Sequence, residues 1–168
     1  GRVERSGDGG EHWTAISPRS REGRTLADLP INSPNSVVAP GQHVRTGADG
    51  EIDLDVGWGV IHVAASSHVA FGVAGESTMQ VREGRAGARL ESLPEGGEFR
   101  VETPQASMGV RGTTFAVGVA SDASRFAVEK GRVEVGAVGV DAGQAVTVSA
   151  AGGAVPGDIG PQERRTFD

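Results

Sequence analysis

The sequence predicts an all-β domain of short strands, wound as a β-solenoid or packed as a β-sandwich, with little or no helix. Three features point there. Valine-rich runs alternate apolar and polar residues at period two, which sends one face of each run to a core and the other to water. Gly, Pro, Asp or Ser stands in nearly every gap between those runs, and 27 of the 168 residues are glycine. No stretch carries a sustained 3.6-residue apolar period.

Taken along the chain, the first clear strand is Glu51–Val56, where Ile52, Leu54 and Val56 point one way and Glu51, Asp53 and Asp55 the other. The same alternation runs through Val60–Val63, Ser67–Val73, Thr78–Val81, Glu98–Val101, Thr113–Val119, Ser124–Val128, Arg132–Val135 and Ala145–Val148. Two local patterns recur: Gly41-Gln42-His43-Val44 with Gly143-Gln144-Ala145-Val146, and Glu83-Gly84-Arg85 with Lys130-Gly131-Arg132. Each reads as a glycine corner just ahead of a short strand, because glycine accepts the positive φ that tight corners require. The best helix candidate, Ser20–Leu29, is short and broken by Gly23.

Thr25–Pro40 holds Pro30, Pro34 and Pro40 among Asn and Ser residues, the composition of an irregular excursion. Residues 1–151 therefore form a single β domain with that excursion inside it. Gly152–Asp168, with Gly152-Gly153, Pro156-Gly157 and Gly160-Pro161, reads as a Gly/Pro-rich tail packed on the domain or held by a neighbour.

A formal net charge of −6 and a pI near 5.2 leave no basic face for a nucleic-acid partner. The absence of cysteine excludes thiol chemistry, Cys-based zinc sites and disulfides. No apolar run is long enough to span a membrane and no charged-then-apolar leader opens the sequence. For an exported protein, the signal peptide is expected to have been removed before Gly1.

The residues that carry chemistry elsewhere do not assemble here into a catalytic pattern. Of His12, His43, His62 and His68, only the last two are near in sequence, and the turn at Ala65-Ser66 resets their alternation, so no metal site is expected. Asp53 and Asp55 read as a solvent face. No nucleophile elbow is present. Gly109-Val110-Arg111-Gly112 leads into a strand, where a nucleotide loop leads into a helix, and Gly112-Thr113-Thr114 lacks a phosphate-loop lysine. The expectation is a protein with no enzymatic activity, no cofactor and no catalytic residue. Glycan binding is the weaker reading, with Trp13 and Trp58 as stacking candidates.

The densest local pattern is 99–117. Thr103-Pro104 ends a strand, since proline removes a ladder donor and restricts the residue before it. Gly109 and Gly112 are expected to permit a close backbone crossing, with Val110, Phe115 and Val117 as core. Arg111 can satisfy turn carbonyls or a carboxylate such as Glu102, or face solvent and meet a partner. Thr113 opens the strand that follows.

This stretch, Phe99-Arg100-Val101-Glu102-Thr103-Pro104 followed by Gly109-Val110-Arg111-Gly112-Thr113-Thr114-Phe115-Ala116-Val117, closely resembles the signature of FecR domains. Gly41–Val56, Phe126–Val135 and the closing Ala142-Gly143-Gln144 resemble its flanks, so the likeness covers about residues 41–150, with Gly1–Ile16 as the opening strand. The resemblance implies a β-rich, solenoid-like extracytoplasmic domain used in signal transfer across bacterial envelopes through contact with another protein. The best-known members carry a cytoplasmic anti-sigma segment and a transmembrane helix before this domain, and the sequence shows neither. The reading is therefore a free-standing binding or self-assembling module of the envelope or surface, its partner a protein or itself. The alternative is the periplasmic sensory domain of a FecR-type regulator.

Overall fold

A computed structural model describes residues 3–6, 14–16, 25–26, 29–30, 43–55, 59–72, 78–91, 93 and 97–167. In chain order these form β1 (Val3–Ser6), β2 (Thr14–Ile16), β3 (Thr25–Leu26), β4 (Leu29–Pro30), β5 (His43–Thr46) and β6 (Ile52–Asp55). Next come β7 (Gly59–Val63), β8 (His68–Phe71), β9 (Thr78–Leu90), β10 (Phe99–Glu102), β11 (Ser107–Val110) and β12 (Thr114–Val119). The chain closes with β13 (Ala123–Lys130), β14 (Arg132–Val135), β15 (Val138–Asp141), β16 (Gln144–Ser149), β17 (Ala154–Asp158) and α1 (Pro161–Phe167).

The domain is all-β with almost no helix: one strongly curled mixed sheet forming a half-barrel, whose two wings share β9. Thr78–Glu83 of that strand joins the first wing, ordered β2-β1-β5-β8-β9-β10-β11-β14-β15. Gly84–Leu90 joins the second, ordered β6-β7-β9-β12-β13-β16-β17. The strand changes wing at Gly84, whose φ of +81° lets the backbone bend without a Cβ penalty.

The solenoid expectation is corrected here. Coils of a solenoid stack in parallel, whereas every neighbour pair among the described residues is antiparallel except β9–β10. Short links such as Gly136-Ala137, between β14 and β15, can only reverse the chain, because a parallel crossover needs many more residues. Gly84 likewise bends a continuous strand instead of ending one, while Gly131, with φ +94°, does turn the corner into β14.

Between the wings lies a single core of buried side chains including Leu54, Ile61, Met79, Met108, Phe115 and Phe126. Within the helix candidate 20–29, Thr25–Leu26 and Leu29–Pro30 pair as strands, and the rest lies outside the described residues. The helix is at the other end. Gly160-Pro161 starts α1, with proline at a position that needs no N–H, and Glu163 accepts the Gly160 N–H at 2.7 Å. The Gly/Pro-rich segment is ordered: β17 pairs with β16, and Ile159 is buried against Ala127 and Ala145.

Candidate functional site

The signature residues divide between scaffold and surface. Thr103 builds the β10–β11 turn: its hydroxyl accepts the Ala106 N–H at 3.1 Å and donates to the Ala106 carbonyl at 3.0 Å. Pro104 follows in the same turn, and Gln105 bonds through its side chain to the fully buried Ser124 hydroxyl on β13, tying the turn to the other wing. Val110 and Phe115 are fully buried. Thr113 is also buried, with its Oγ1 lacking a partner among the described residues, while its methyl packs beside Gly131.

The close backbone crossing expected at Gly109 and Gly112 does not exist. A Cβ on Gly112 would meet nothing within 4 Å, and the residue's φ of +66° alone accounts for the glycine. Gly109 lies in the middle of β11, between Arg100 of β10 and Glu134 of β14, and the Glu98 side chain lies across it. A missing Cβ here clears the outer surface of the sheet.

That clearing shapes a groove of about 320 Å3 lined by Glu98, Gly109, Arg111, Arg132, Val133 and Glu134. Arg111 is exposed in it, and no hydrogen bond or ion pair ties the guanidinium down among the described residues. Glu102, the partner offered by the sequence reading, instead accepts from Gln80 at 3.1 Å. Arg132, across the groove, is held by Asp141 at 2.8 Å. A second groove of about 250 Å3, lined by Gln80, Val81, Arg82, Glu102, Thr103 and Pro104, opens on the far side of β10–β11. The outer face of this wing is thus a polar, mixed-charge surface centred on the signature.

Arg132 and Glu134 were not singled out from sequence. Their signal was the alternation of Arg132-Val133-Glu134-Val135, which sends both outward once Val133 and Val135 are core.

The histidines form two separate pairs. His43 Nδ1 and His68 Nε2 lie 3.0 Å apart on β5 and β8. Burial, then the neighbouring His43, Arg82 and Arg45, pushes the His68 pKa down to about 4. On the second wing His62 bonds Asp53 at 2.6 Å with Glu51 at 3.8 Å, so Asp53 keeps a partly solvated place, its side chain 41% exposed, and has a partner there. The Asp53 hydrogen bond raises the His62 pKa against the opposing effect of burial, helped by the charges of Asp53 and Glu51. Among the described residues no group of three or more His, Asp or Glu side chains is placed to hold a metal ion. His12, Trp13 and Trp58 lie outside the described residues.

The sequence pattern of the FecR protein family matches residues 42–134, more than half of the chain. The chain belongs to the FecR family. Two crystal structures of a "putative anti-sigma factor" from Parabacteroides distasonis share the fold, each with a TM-score of 0.60 at 20% identity. The likeness covers 71% of this FecR chain and 61% of that protein, so the chain spans somewhat under two thirds of its length. No curated protein matches the chain in sequence. Among the described residues, no helix of this FecR domain is long and apolar enough to cross a membrane.

Proposed function

We propose that this chain is the extracytoplasmic, protein-contacting domain of a FecR-type signalling regulator, and that it transmits a signal by binding and not by catalysis. The observation that carries the reading is Arg111. It belongs to the segment by which the chain is recognised as FecR, yet it supports no turn and fills no core; it stands exposed in a groove on the outer face of β10, β11 and β14. An exposed guanidinium that no described residue engages offers a planar five-donor fork to a carboxylate or to backbone carbonyls of a partner. The flanking Glu98 and Glu134 favour a partner of mixed charge.

The regulator reading takes precedence over the free-standing scaffold because the similar solved protein is described as a "putative anti-sigma factor". It is supported by family membership, and the partner is a protein. A photo-crosslinking amino acid placed at Arg111 in the source bacterium, and at Glu129 on the other wing as control, tests it. One discrete protein adduct at 111 and none at 129 is expected, with Arg111→Glu altering transcription of the genes the regulator controls. Equal labelling at both sites, or unchanged transcription in a folded Arg111→Glu protein, would overturn it.

A further inference from the structure

On the outer face of the second wing, strand register aligns one residue from each of six strands: His62, Gly87, Ala116, Ala127, Ala145 and Gly157. Their neighbours Ala86, Ala88, Phe115, Val117, Phe126, Val128 and Val146 point into the core, so alternation turns this row outward. An outward row on an antiparallel sheet is ordinarily polar. Here Ala116, Ala127 and Ala145 are 4%, 0% and 2% exposed, because the C-terminal segment lies over them.

The contacts are specific. Ile159 packs on Ala127 and Ala145 as a cluster separate from the main core, and its N–H reaches the Gly143 carbonyl at 3.3 Å. Arg125 Nε meets Glu163 Oε1 at 2.5 Å, and the same guanidinium bonds the Asp158 carbonyl. Arg85 donates to the Gln162 side chain at 3.2 Å. One apolar plug and one charge clasp thus fix the register of the segment.

We propose that this row of small residues is a binding trough for the segment Asp158–Glu163, filled in cis in the single chain and open, on release, to the same segment of a second copy. Small residues across adjacent strands let a backbone approach the sheet, and the central alanines leave room for one branched side chain. The occupant is weakly held. α1 has seven residues, well below the roughly 12–15 an isolated helix needs, and among the described residues Ile159 is the one buried apolar side chain that anchors the segment. Arg125 is 34% exposed, so water competes for the clasp. Every copy carries both trough and segment, and the contacts made in cis form unchanged in trans, which is the condition for exchange between protomers.

The test uses the full chain carrying Ile159→Asp, which vacates the trough, and a fluorescein-labelled peptide of residues 157–168 read by anisotropy. The peptide is expected to bind the variant at least tenfold tighter than the wild type, whose own segment competes. Adding Ala127→Leu to fill the trough should abolish binding. Charge reversal fixes the register: a Glu163→Lys peptide should bind a full chain carrying Arg125→Glu with Ile159→Asp and fail on the chain retaining Arg125. Should Ile159→Asp prevent folding by circular dichroism, Glu163→Lys in the full chain opens the clasp without touching an apolar contact. Equal binding to wild type and variant, binding to neither, or no effect of Ala127→Leu in folded proteins would overturn the proposal.

Discussion

The Ser67 hydroxyl stands where a side chain on Gly84 would begin. Ser66 O and Ser67 Cα lie 2.5 and 2.6 Å from the same position, so backbone as well as side chain occupies it. The Ser67 Oγ also accepts the Arg85 N–H at 2.8 Å and donates to the Arg85 carbonyl at 3.0 Å, pinning β8 to the bend in β9. The two wings are joined at this point, and the bend is possible only with glycine.

Gly84→Ala is therefore expected to cost about 3 kcal/mol or more, since positive φ and a backbone clash act together. Gly112→Ala, with a φ of +66° but open space around it, should cost only about 1 kcal/mol. Urea unfolding of the two variants checks the order. A larger loss at Gly112 than at Gly84 would mean that positive φ, and not the backbone clash, dominates the cost.

Thr113 makes an expectation of the opposite sign. Its buried Oγ1 has no partner among the described residues, so folding strips the hydroxyl of water without return from them. Thr113→Val keeps the methyl beside Gly131 and removes the orphaned oxygen. The variant is expected to be more stable by about 1 kcal/mol in thermal or urea unfolding.

The two histidine pairs give opposite pH slopes. His68, with its pKa pushed down to about 4, stays neutral in the folded state while the unfolded chain takes up a proton below its ordinary value of 6.5. Its contribution is present above 6.5 and is lost as pH falls toward 4. The His62 pKa is raised by Asp53, so its contribution is full below 6.5 and is lost as pH rises through the elevated value. His68→Gln should flatten the fall in melting temperature between pH 6.5 and 4. Asp53→Asn should lower the His62 pKa in an NMR titration while costing less than about 1 kcal/mol, because the pair is partly solvated.

The sequence made the strands legible wherever one face met the core and the other met water, as at Ile52–Asp55 and Arg132–Val135. It misled where a residue had two meanings. Glu83-Gly84-Arg85 reads as a corner, yet the chain runs through it for the full length of β9, because glycine serves a bend as well as a turn. Ala116, Ala127 and Ala145 hide inside valine-rich runs, and only strand register brings them into one row. The C-terminal helix is short and follows a Gly/Pro-rich stretch, although Pro161 with Glu163 two residues on is the signature of a helix start. Arg111 is legible in the sequence; its groove is not, since Glu98, Gly109 with Arg111, and the β14 pair Arg132 and Glu134 come from three separate segments.

Pro156 protects an edge that would otherwise take another strand. The Ser149 N–H bonds the Gly153 carbonyl at 2.9 Å, making that pair a hydrogen-bonded one, and alternation makes Thr147–Val155 and Ala145–Gly157 hydrogen-bonded as well. Pro156, opposite Val146, falls at a non-bonded position, so its nitrogen points to the outer edge of β17. All of β17 is exposed, and Val155 is 65% exposed, which would make this strand sticky were its outer row of donors complete. The missing donor in the middle of the strand interrupts that row. Pro156→Val should leave the β16–β17 ladder intact, restore the donor and promote edge-to-edge dimers that grow with concentration in light scattering. A variant that stays monomeric at millimolar concentration would mean that something other than Pro156 guards this edge.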